Sequence, residues 1–411
     1  QGITGAASGT PLPTVCLMDV SLKHPGELTF AEVDAWRVLR AGDAAYDNPF
    51  FAPEFARAVG GVREDARVVV VRGVSGSVEL VLPVQLAASG LARPLGAPMC
   101  DVNGPVATPD MREKMGQVLA KAGIAAYAFS GWPDVRAMHG LKLRGREGSA
   151  VADLSRGFAA WLEEQRDLHA KHFKKMRRLA RQGESDFGAE TVTFGAARAE
   201  DLATLIQWKR DQFMRTRRHD VLRPAWTRGL LEACAAHKGE AFAGVMATLR
   251  YGGRLAAAEF GLRSGGVLHG WIAGYDPEFA SCSPGLVLQE RLLEQAAAEG
   301  VTQAVLGTGE GHYKKHYASH YTAVDDGVVT ASGMSGGARA LAAGLLHAVE
   351  SGRFGPAAKL AGRTRRRLDV ILAVETRMGD QVRGVTRALT EDPALARTST
   401  ALKAAVQASA I

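Results

Sequence analysis

The sequence lacks the long apolar runs that a membrane-spanning helix requires. Its 411 residues contain no uncharged apolar stretch of about 18 residues or more. The segment 1–10 is rich in Gly, Ala, Ser and Thr, with neither a basic start nor an apolar stretch, so it does not have the features of a secretory signal. We therefore expect a cytoplasmic protein without a membrane span.

Cysteine is also scarce. The four cysteines, Cys16, Cys100, Cys234 and Cys282, are scattered and form no CxxC or Cys/His spacing. This argues against a disulfide framework and against a structural zinc site, and it suits a reducing compartment. We expect no metal.

Positive charge, in contrast, is in excess. Lys and Arg number 50 against 43 Asp and Glu, which gives a net charge of +7 and a pI of about 9.3. Such a balance suits nucleic acid, an anionic membrane or phosphate-bearing substrates. The charge is concentrated in Arg166–Gln182, a predicted basic amphipathic helix stopped by Gly183, and in the Arg-rich region 333–411.

Three regions differ in their patterns. In 13–150 and 151–332, β-branched runs separated by glycines alternate with segments of helical periodicity. Examples are the hairpin Val68–Arg72 and Val78–Ala87 and the helix Thr29–Arg40, with Thr29 as N-cap. The region 333–411 predicts basic amphipathic helices. We therefore expect a mixed α/β fold of two domains followed by a basic helical tail.

A strand-to-helix junction at Ser283-Pro284-Gly285 suggests an anion site. Ser283 is predicted to cap the helix Pro284–Glu299, Pro284 suits its first position, and Gly285 leaves the backbone uncovered. No acidic residue occupies the first turn, so the free N–H groups are available to an anion such as a pyrophosphate. The alternative is an ordinary strand-to-helix turn with a normal cap, and such turns are the commoner case.

The segment Gly307–Tyr317 combines three glycines with two tyrosines, two lysines and two histidines. Glycines let a ligand approach the backbone, Lys supplies a mobile positive charge, and His and Tyr pass protons. Such density favours a functional segment over a solvated helix start. The spacing His312…His316 would suit a metal, but no third ligand is placed nearby, so we discount it.

Glu259 lies within an apolar run of a predicted strand, Arg254–Arg263. A buried carboxylate must be paired, protonated or functional. A general base and a structural ion pair are equally compatible with this placement.

Taken together, the region from Lys171 to Tyr321 resembles the GNAT-type acetyltransferases of bacterial exopolysaccharide and cellulose biosynthesis, which are related to the FemAB aminoacyltransferases. The resemblance extends over roughly residues 30–330 and is strongest from 256 to 317. It is carried by the segments Lys171–Arg181, Ala256–Arg263, Gly270–Asp276, Ser283–Gly285 and Tyr313-Lys314, and more loosely by Asn48–Phe55 and Leu95–Val106.

The resemblance implies tandem GNAT domains, with acetyl-CoA bound by the second. It implies backbone contacts to the pyrophosphate from Ser283, Gly285 and Leu286. Lys314 matches the lysine that the family keeps after its last core strand, in a position to stabilise an oxyanion. The usual GNAT phosphate loop, Arg/Gln-x-x-Gly-x-Gly/Ala, is not reproduced, because only one glycine stands at this turn.

The implied reaction is attack of an amine on an acyl thioester, with Glu259 or Tyr275 as base and Lys314 beside the oxyanion. The implied acceptor is an amino sugar, free, polymeric or carried on a nucleotide or lipid diphosphate, as in the synthesis of adhesive polysaccharides such as holdfast. The residues expected to receive it are Lys175, Arg178, Lys209, His312 and Tyr313.

Two other functions stay open. A FemAB-like aminoacyl-tRNA-dependent transferase would carry a long charged helical hairpin in its second domain, and the stretch 198–238 is too short for one. A membrane-associated, nucleotide-responsive effector with a degenerate transferase fold would use the basic tail. That tail would bind an anionic membrane, at the inner face of the cytoplasmic membrane, or an anionic second-messenger nucleotide. A packing or oligomerisation appendage explains the tail equally well. No nucleic-acid partner is expected.

Overall fold

The computed structural model describes residues 18–133, 135, 138–309, 311–333 and 366–391. Within these ranges the chain builds a 13-stranded mixed sheet. Its strands are β1 (Asp19–Lys23), β2 (Ala66–Arg72), β3 (Val78–Leu86), β4 (Leu91–Pro94), β5 (Val106–Ala107), β6 (Ala126–Pro133), β7 (Leu141–Asp153), β8 (Glu190–Ala196), β9 (Ala243–Tyr251), β10 (Arg254–Ser264), β11 (Val267–Tyr275), β12 (Gln303–Gly307) and β13 (His320–Thr330).

Helices cover the sheet. The described α-helices are α1 (Phe30–Ala41), α2 (Pro53–Gly60), α3 (Pro109–Glu113), α4 (Met115–Lys121), α5 (Phe158–Phe187), α6 (Ala199–Arg215), α7 (Ala225–Ala236), α8 (Pro284–Ala298), α9 (366–374) and α10 (Met378–Glu391). None of them is long and apolar enough to cross a membrane.

The sheet consists of two halves of similar design. The strand order is β1-β2-β3-β4-β6-β13-β7-β12-β11-β10-β9-β8, with β5 paired to β3. In the first half, antiparallel strands lead to a parallel pair, β4 with β6; in the second half they lead to the parallel pair β11 with β12. Helices connect each parallel pair, as parallel strands require. The predicted mixed α/β class with tandem halves is confirmed.

Exchanged strands join the two halves. β13, from the end of the second half, lies between β6 and β7, and β7 pairs in turn with β12. The largest buried cluster also crosses the junction, since it combines Phe50 and Phe55 of the first half with Leu230 and Phe260 of the second. The predicted boundary at residue 150 falls inside β7, and the domain limits stay a prediction.

Local sequence signals account for several elements. Thr29 caps α1 as expected: its hydroxyl accepts from the Glu32 N–H (3.2 Å), and the Glu32 carboxylate accepts from the Thr29 N–H (3.0 Å). Glu32 is buried, and burial alone would raise its pKa. Hydrogen bonds from Lys23 and Thr29 instead lower the pKa of Glu32 to about 2.

The basic helix is longer than its sequence predicts. α5 runs from Phe158 to Phe187, so Gly183 does not stop it. Gly183 lies inside the helix where the ring of Tyr251 packs so closely that a Cβ would collide with it. The glycine therefore serves packing and not termination. At His169 the backbone leaves helical geometry (φ −136°, ψ 39°).

Part of the predicted tail is helical and packs on the core. Ile371, Ala373 and Val374 are buried. The buried carboxylate of Glu375 accepts from Arg223 Nη2 at 2.7 Å and lies 3.1 Å from His219 Nε2. These contacts fix 366–391 against the second half. Residues 334–365 and 392–411 of that tail lie outside the described residues.

Candidate functional site

A cavity of about 420 Å³ opens at the start of α8, bounded by α6, β10 and β11. We call it the α8 cavity. It gathers seven of the residues that the sequence singled out: Lys209, Glu259, Tyr275, Ser283, Gly285, Leu286 and Tyr313. Residues separated by up to about a hundred positions in the chain thus line one open cavity.

The start of α8 differs from its prediction. Ser283 does not cap the helix: it adopts the left-handed conformation (φ 50°, ψ 55°), and its side chain makes no capping hydrogen bond. A 3₁₀ turn, Pro277–Cys282, runs directly into α8, and Ser283 is the single residue that reverses the chain between the two helices. The Ser283 carbonyl accepts from the Leu286 and Val287 N–H groups (3.0 and 3.3 Å).

The anion-binding capacity of this helix start is nevertheless retained. Among the described residues, the Gly285 N–H has no hydrogen-bond acceptor, and the first turn contains no acidic residue. Unpaired N–H groups and the positive end of the helix dipole favour an anion at this point.

Gln289 lies one turn further along α8 and also lines the cavity. It is buried, and its Nε2 has no hydrogen-bond partner in the described part of the chain. A buried amide without a partner costs about 1–3 kcal/mol, so a ligand in the cavity is the expected partner. We did not predict Gln289 from the sequence. The available signal was its i+4 relation to Gly285, which places both on one face of the helix.

Glu259 projects from β10, opposite Ala273 of β11. Its carboxylate covers Gly270, where a Cβ would collide with it. Within the described ranges it forms no ion pair within 4 Å, which removes the support for a structural salt bridge. Burial raises the pKa of Glu259 to about 7, against the lowering effect of the positive charges of Lys314 and Lys209.

Three further side chains, Tyr313, Lys209 and Tyr275, line the α8 cavity together with Glu259. Burial and the nearby Glu259 charge raise the pKa of Tyr313 to about 12, so its hydroxyl stays protonated. Lys209 Nζ donates to the Ala273 carbonyl at 3.4 Å. Its pKa is lowered by burial and by Arg218, against the opposing effect of Glu259. Tyr275 is 47% exposed and lies beside Gly285.

Lys314 lies at the edge of this group, in a 3₁₀ turn after β12. Its Nζ donates to the Thr308 carbonyl at 2.5 Å. Burial lowers the pKa of Lys314, whereas Asp101 and Glu259 raise it. A Cβ placed on Gly307 (φ 78°) would lie 3.8 Å from Lys314 Nζ, 3.4 Å from Asp101 Oδ2 and 3.9 Å from His269 Nε2. Three polar groups therefore converge at the end of β12.

His269, which is itself buried, connects the two halves through a chain of hydrogen bonds. Its Nδ1 lies 2.8 Å from Asn48 Nδ2, and its Nε2 lies 3.1 Å from Asp101 Oδ2. Asn48 Oδ1 accepts from the Phe50 N–H, which turns the Asn48 amide N–H₂ toward the ring. Nδ1 is then the acceptor, and Nε2–H donates to Asp101. Sequence analysis missed this group, although a histidine in an apolar strand was a signal.

The strands β11 and β12 separate at this histidine. Their parallel pairing runs from Val267 and Gln303 to His269 and Val305, while β11 continues to Tyr275. Beyond His269 the backbone of β11 therefore has no partner from β12, and the space between the strands opens toward Gly307 and α8.

Other predicted residues lie outside the α8 cavity. Lys175 and Arg178 are exposed on α5, and His312 is exposed in its loop. The ring of His172 stacks on His316, with centroids 4.2 Å apart. In the described ranges, no three His, Cys, Asp or Glu side chains are arranged to hold a metal ion.

Comparison with known proteins gives one informative match. Residues 170–315 match the family model of the acetyltransferase (GNAT) domain, which is roughly a third of the chain and includes the residues that build the α8 cavity. This part of the chain is therefore similar to acetyltransferase-type GNAT domains. No curated protein matches the sequence.

Several solved structures are similar in fold. FemX is 12% identical, with 74% of this chain and 96% of that chain covered and a TM-score of 0.47. A tandem GNAT protein from the clavulanic acid biosynthesis pathway is 12% identical (77% and 100% covered, TM-score 0.44). L-PGS from Bacillus licheniformis is 11% identical (80% and 96%, TM-score 0.44).

The unpaired amide of Gln289 gives a test of stability. Gln289→Leu removes a buried polar group without a partner, so we expect the ligand-free protein to gain about 1 kcal/mol of unfolding free energy in urea titrations. Gln85→Leu is the matched control: Gln85 is equally buried but bonds the Gly96 N–H and the Ala97 carbonyl (2.8 and 3.2 Å). The control should destabilise, and equal losses in both variants would contradict a ligand-directed amide.

Proposed function

We propose that this protein is an N-acyltransferase that moves an acyl group from acetyl-CoA to the amine of an amino sugar. The observation that carries the proposal is the α8 cavity. There a helix start with an unpaired N–H group faces a carboxylate whose pKa is raised to about 7, within the matched GNAT domain.

The residues at the start of α8 suit the donor. The Gly285 N–H and the helix dipole would hold the pyrophosphate. The N–H groups of Ser283 and Leu286 already donate to the Ala280 and Ser283 carbonyls (3.1 and 3.0 Å), so these two residues would shape the turn around the pyrophosphate. Gln289 Nε2 offers an additional donor inside the cavity. Where β11 and β12 separate, the unpaired backbone of β11 can receive the pantetheine chain.

Transfer to an amine forms a C–N bond, breaks the C–S bond of the thioester and releases the ammonium proton. Glu259 would accept that proton, because a base with a pKa near the working pH combines availability with basicity. Tyr275 remains the alternative base. Tyr313 stays protonated and can return a proton to the departing sulfur. Lys314 places a positive charge beside the developing oxyanion.

The identity of the acceptor is supported more indirectly. Net positive charge, Lys209 in the cavity and the exposed basic face of α5, including Lys175 and Arg178, suit an acceptor carried on a nucleotide or lipid diphosphate. His312 and Tyr313 would contact it near the transfer site. Exopolysaccharide synthesis of the holdfast type, at the inner face of the cytoplasmic membrane, is the setting that we propose. We also propose that the basic tail binds an anionic membrane or an anionic second-messenger nucleotide.

Donor binding is the first test. Acetyl-CoA should bind the full chain in isothermal titration calorimetry, and Gly285→Glu should weaken binding at least tenfold, because its carboxylate would face the pyrophosphate. Ala203→Glu, on the exposed face of α6, is the charge-matched control. Absence of binding up to millimolar acetyl-CoA would refute the donor assignment.

The pKa of Glu259 predicts a pH profile. As the base must be unprotonated, kcat/KM should rise with pH and level off above about 7. Glu259→Gln should lower kcat/KM by about 10²–10⁴-fold and abolish that rise. The control Glu278→Gln removes an exposed carboxylate paired with Arg254 and should retain the profile. A rise near 7 that persists in Glu259→Gln would assign the base elsewhere.

Lys314 can be compared with its neighbour. Lys314→Ala should reduce kcat by about 10²-fold, because the charge beside the oxyanion is lost, while the melting temperature remains close to that of the unmodified protein. Lys315→Ala removes an exposed charge one residue away and should leave the rate unchanged. Equal rates in the two variants would remove Lys314 from the mechanism.

A further inference from the structure

A second cavity, of about 580 Å³, lies between the first half of the sheet and α9. We call it the Asp101 cavity. Apolar side chains of β4, β6 and β13, among them Leu91, Ala128 and Val328, form its walls. Asp101 and Thr308 also line it, and the Thr308 carbonyl accepts from Lys314 Nζ. Lys314 Nζ is therefore in contact with a residue that lines the Asp101 cavity, and its positive charge also lowers the pKa of Glu259 in the α8 cavity.

One carboxylate oxygen of Asp101 is hydrogen-bonded and fixes the orientation of the side chain, and the other is not hydrogen-bonded among the described residues. Its Oδ2 accepts from His269 Nε2–H at 3.1 Å, and Oδ1 makes no hydrogen bond in the described part of the chain. The Asp101 side chain is 37% exposed, whereas His269 is fully buried. A carboxylate anchored at one oxygen and open at the other is arranged to accept a hydrogen bond from a ligand.

Arg93 supplies the opposite charge in the same cavity. It projects from β4, is partly buried, and makes neither a hydrogen bond nor an ion pair within 4 Å among the described residues. Burial lowers the pKa of Arg93, against the effect of the Asp369 charge. A guanidinium withdrawn from water without a partner is costly, and a phosphate or carboxylate is the ligand group that its geometry fits.

We propose that the Asp101 cavity binds the acceptor, and that the acceptor is a small molecule with both an amino and an acidic group. Asp101 Oδ1 accepts from the ammonium group, and Arg93 binds the phosphate or carboxylate. His269 and Asn48 are positioning residues, since they act only through Asp101. This inference rests on the proposed function and narrows it: the acceptor is a small molecule held at Asp101 and Arg93, in place of a nucleotide- or lipid-linked acceptor held at Lys209 and the basic face of α5.

The arrangement explains how the amine would reach the acyl group. Asp101 lies at Gly307, where β12 ends and β11 and β12 have already separated. A Cβ on Gly307 would lie 3.4 Å from Asp101 Oδ2 and 3.8 Å from Lys314 Nζ, so an amine held at Asp101 would lie near Lys314. Asp326, whose side chain also lines the Asp101 cavity, offers a further acceptor for hydroxyl groups of a sugar.

Binding of defined probes to the full chain tests the proposal by calorimetry. Glucosamine 6-phosphate and 2-amino-2-deoxyglucuronic acid carry both groups, with phosphate and carboxylate as alternative anions. Glucosamine and glucose 6-phosphate carry one each. At least one of the first pair should bind about tenfold or more tightly than either single-group probe. Absence of any binding of the first pair up to about 10 mM would overturn the proposal.

Variants assign the two ends of the ligand. In Arg93→Gln, adding an acidic group to the probe should no longer increase affinity, whereas adding an amine still should. In Asp101→Asn, adding an amine should no longer increase affinity, whereas adding an acidic group still should. His269→Ala should weaken the contribution of the amine as Asp101→Asn does, because the hydrogen bond that orients Asp101 is lost. The ring contact with Phe50 is lost as well. Unchanged affinities in Arg93→Gln and Asp101→Asn would overturn the proposal. Equal weakening of all probes by His269→Ala would overturn the positioning role.

Acetyl-CoA binding separates this inference from the proposed function. The three variants should bind acetyl-CoA as the unmodified protein does, which also shows that they are folded. Failure of the unmodified protein to bind acetyl-CoA refutes the donor site alone. If acetyl-CoA binds normally but neither probe that carries both groups binds, the acceptor site alone is refuted.

Discussion

The hydrogen-bonded chain Asn48–His269–Asp101 is the interaction on which the arrangement of the site depends. It lies at the junction, with Asn48 and Asp101 from the first half and the buried His269 from the second. Because Asn48 Oδ1 is occupied by the Phe50 N–H, the ring has one tautomer that satisfies both neighbours. The halves must therefore be joined correctly before Asp101, Gly307 and Lys314 can meet, and the exchanged strands β7 and β13 hold them together.

Burial has opposite consequences for two carboxylates of this protein, and the difference follows from their partners. Glu32 is buried with direct hydrogen bonds from Lys23 and Thr29, so its pKa falls to about 2. Glu259 has positive charges nearby but no hydrogen bond among the described residues, so desolvation prevails and its pKa rises to about 7. The first environment stabilises a structural anion, whereas the second keeps a carboxyl group ready to exchange a proton at neutral pH.

The α8 cavity illustrates how a helix start can be prepared for an anion without the usual glycine-rich loop. Ser283 adopts a left-handed conformation and gives up its capping bond. The Gly285 N–H and the Gln289 amide consequently remain unpaired in the described structure. An unpaired buried amide is unfavourable for folding, and sites of this kind are expected where stability is exchanged for binding.

The sequence was sufficient to predict an element where the interactions that form it act between residues close together in the chain. The Thr29 cap of α1, the hairpin of β2 and β3 and the strand containing Glu259 follow from capping chemistry and from β-branched or apolar runs bounded by glycine turns, and each is found as predicted. The clustering of Glu259, Gly285 and Tyr313 was suggested by their resemblance to a known family.

Three other features could not be predicted from the sequence. Gly183 is a residue type that commonly ends helices, but here it lies inside α5 and packs against Tyr251. Ser283 is a residue type that commonly caps helices, but here it lies between the 3₁₀ turn and α8 and makes no capping hydrogen bond. β13 contains Asp325, Asp326 and Gly327, which weaken a strand signal, and exists because β6 and β7 pair with it on both sides.

The sequence by itself determined the mixed α/β class, the basic character of α5 and the candidate residues around α8, because periodicity and capping act over a few residues. Only the tertiary structure decided which of these residues share a cavity. It brought Lys209 and Tyr313 to Glu259, left Lys175 and Arg178 on the surface, and placed Asp101 and Arg93 in a second cavity beside Lys314. The physical reason is that desolvation and hydrogen-bond geometry depend on partners far apart in the chain, and only the pairing of strands across the two halves brings those partners together.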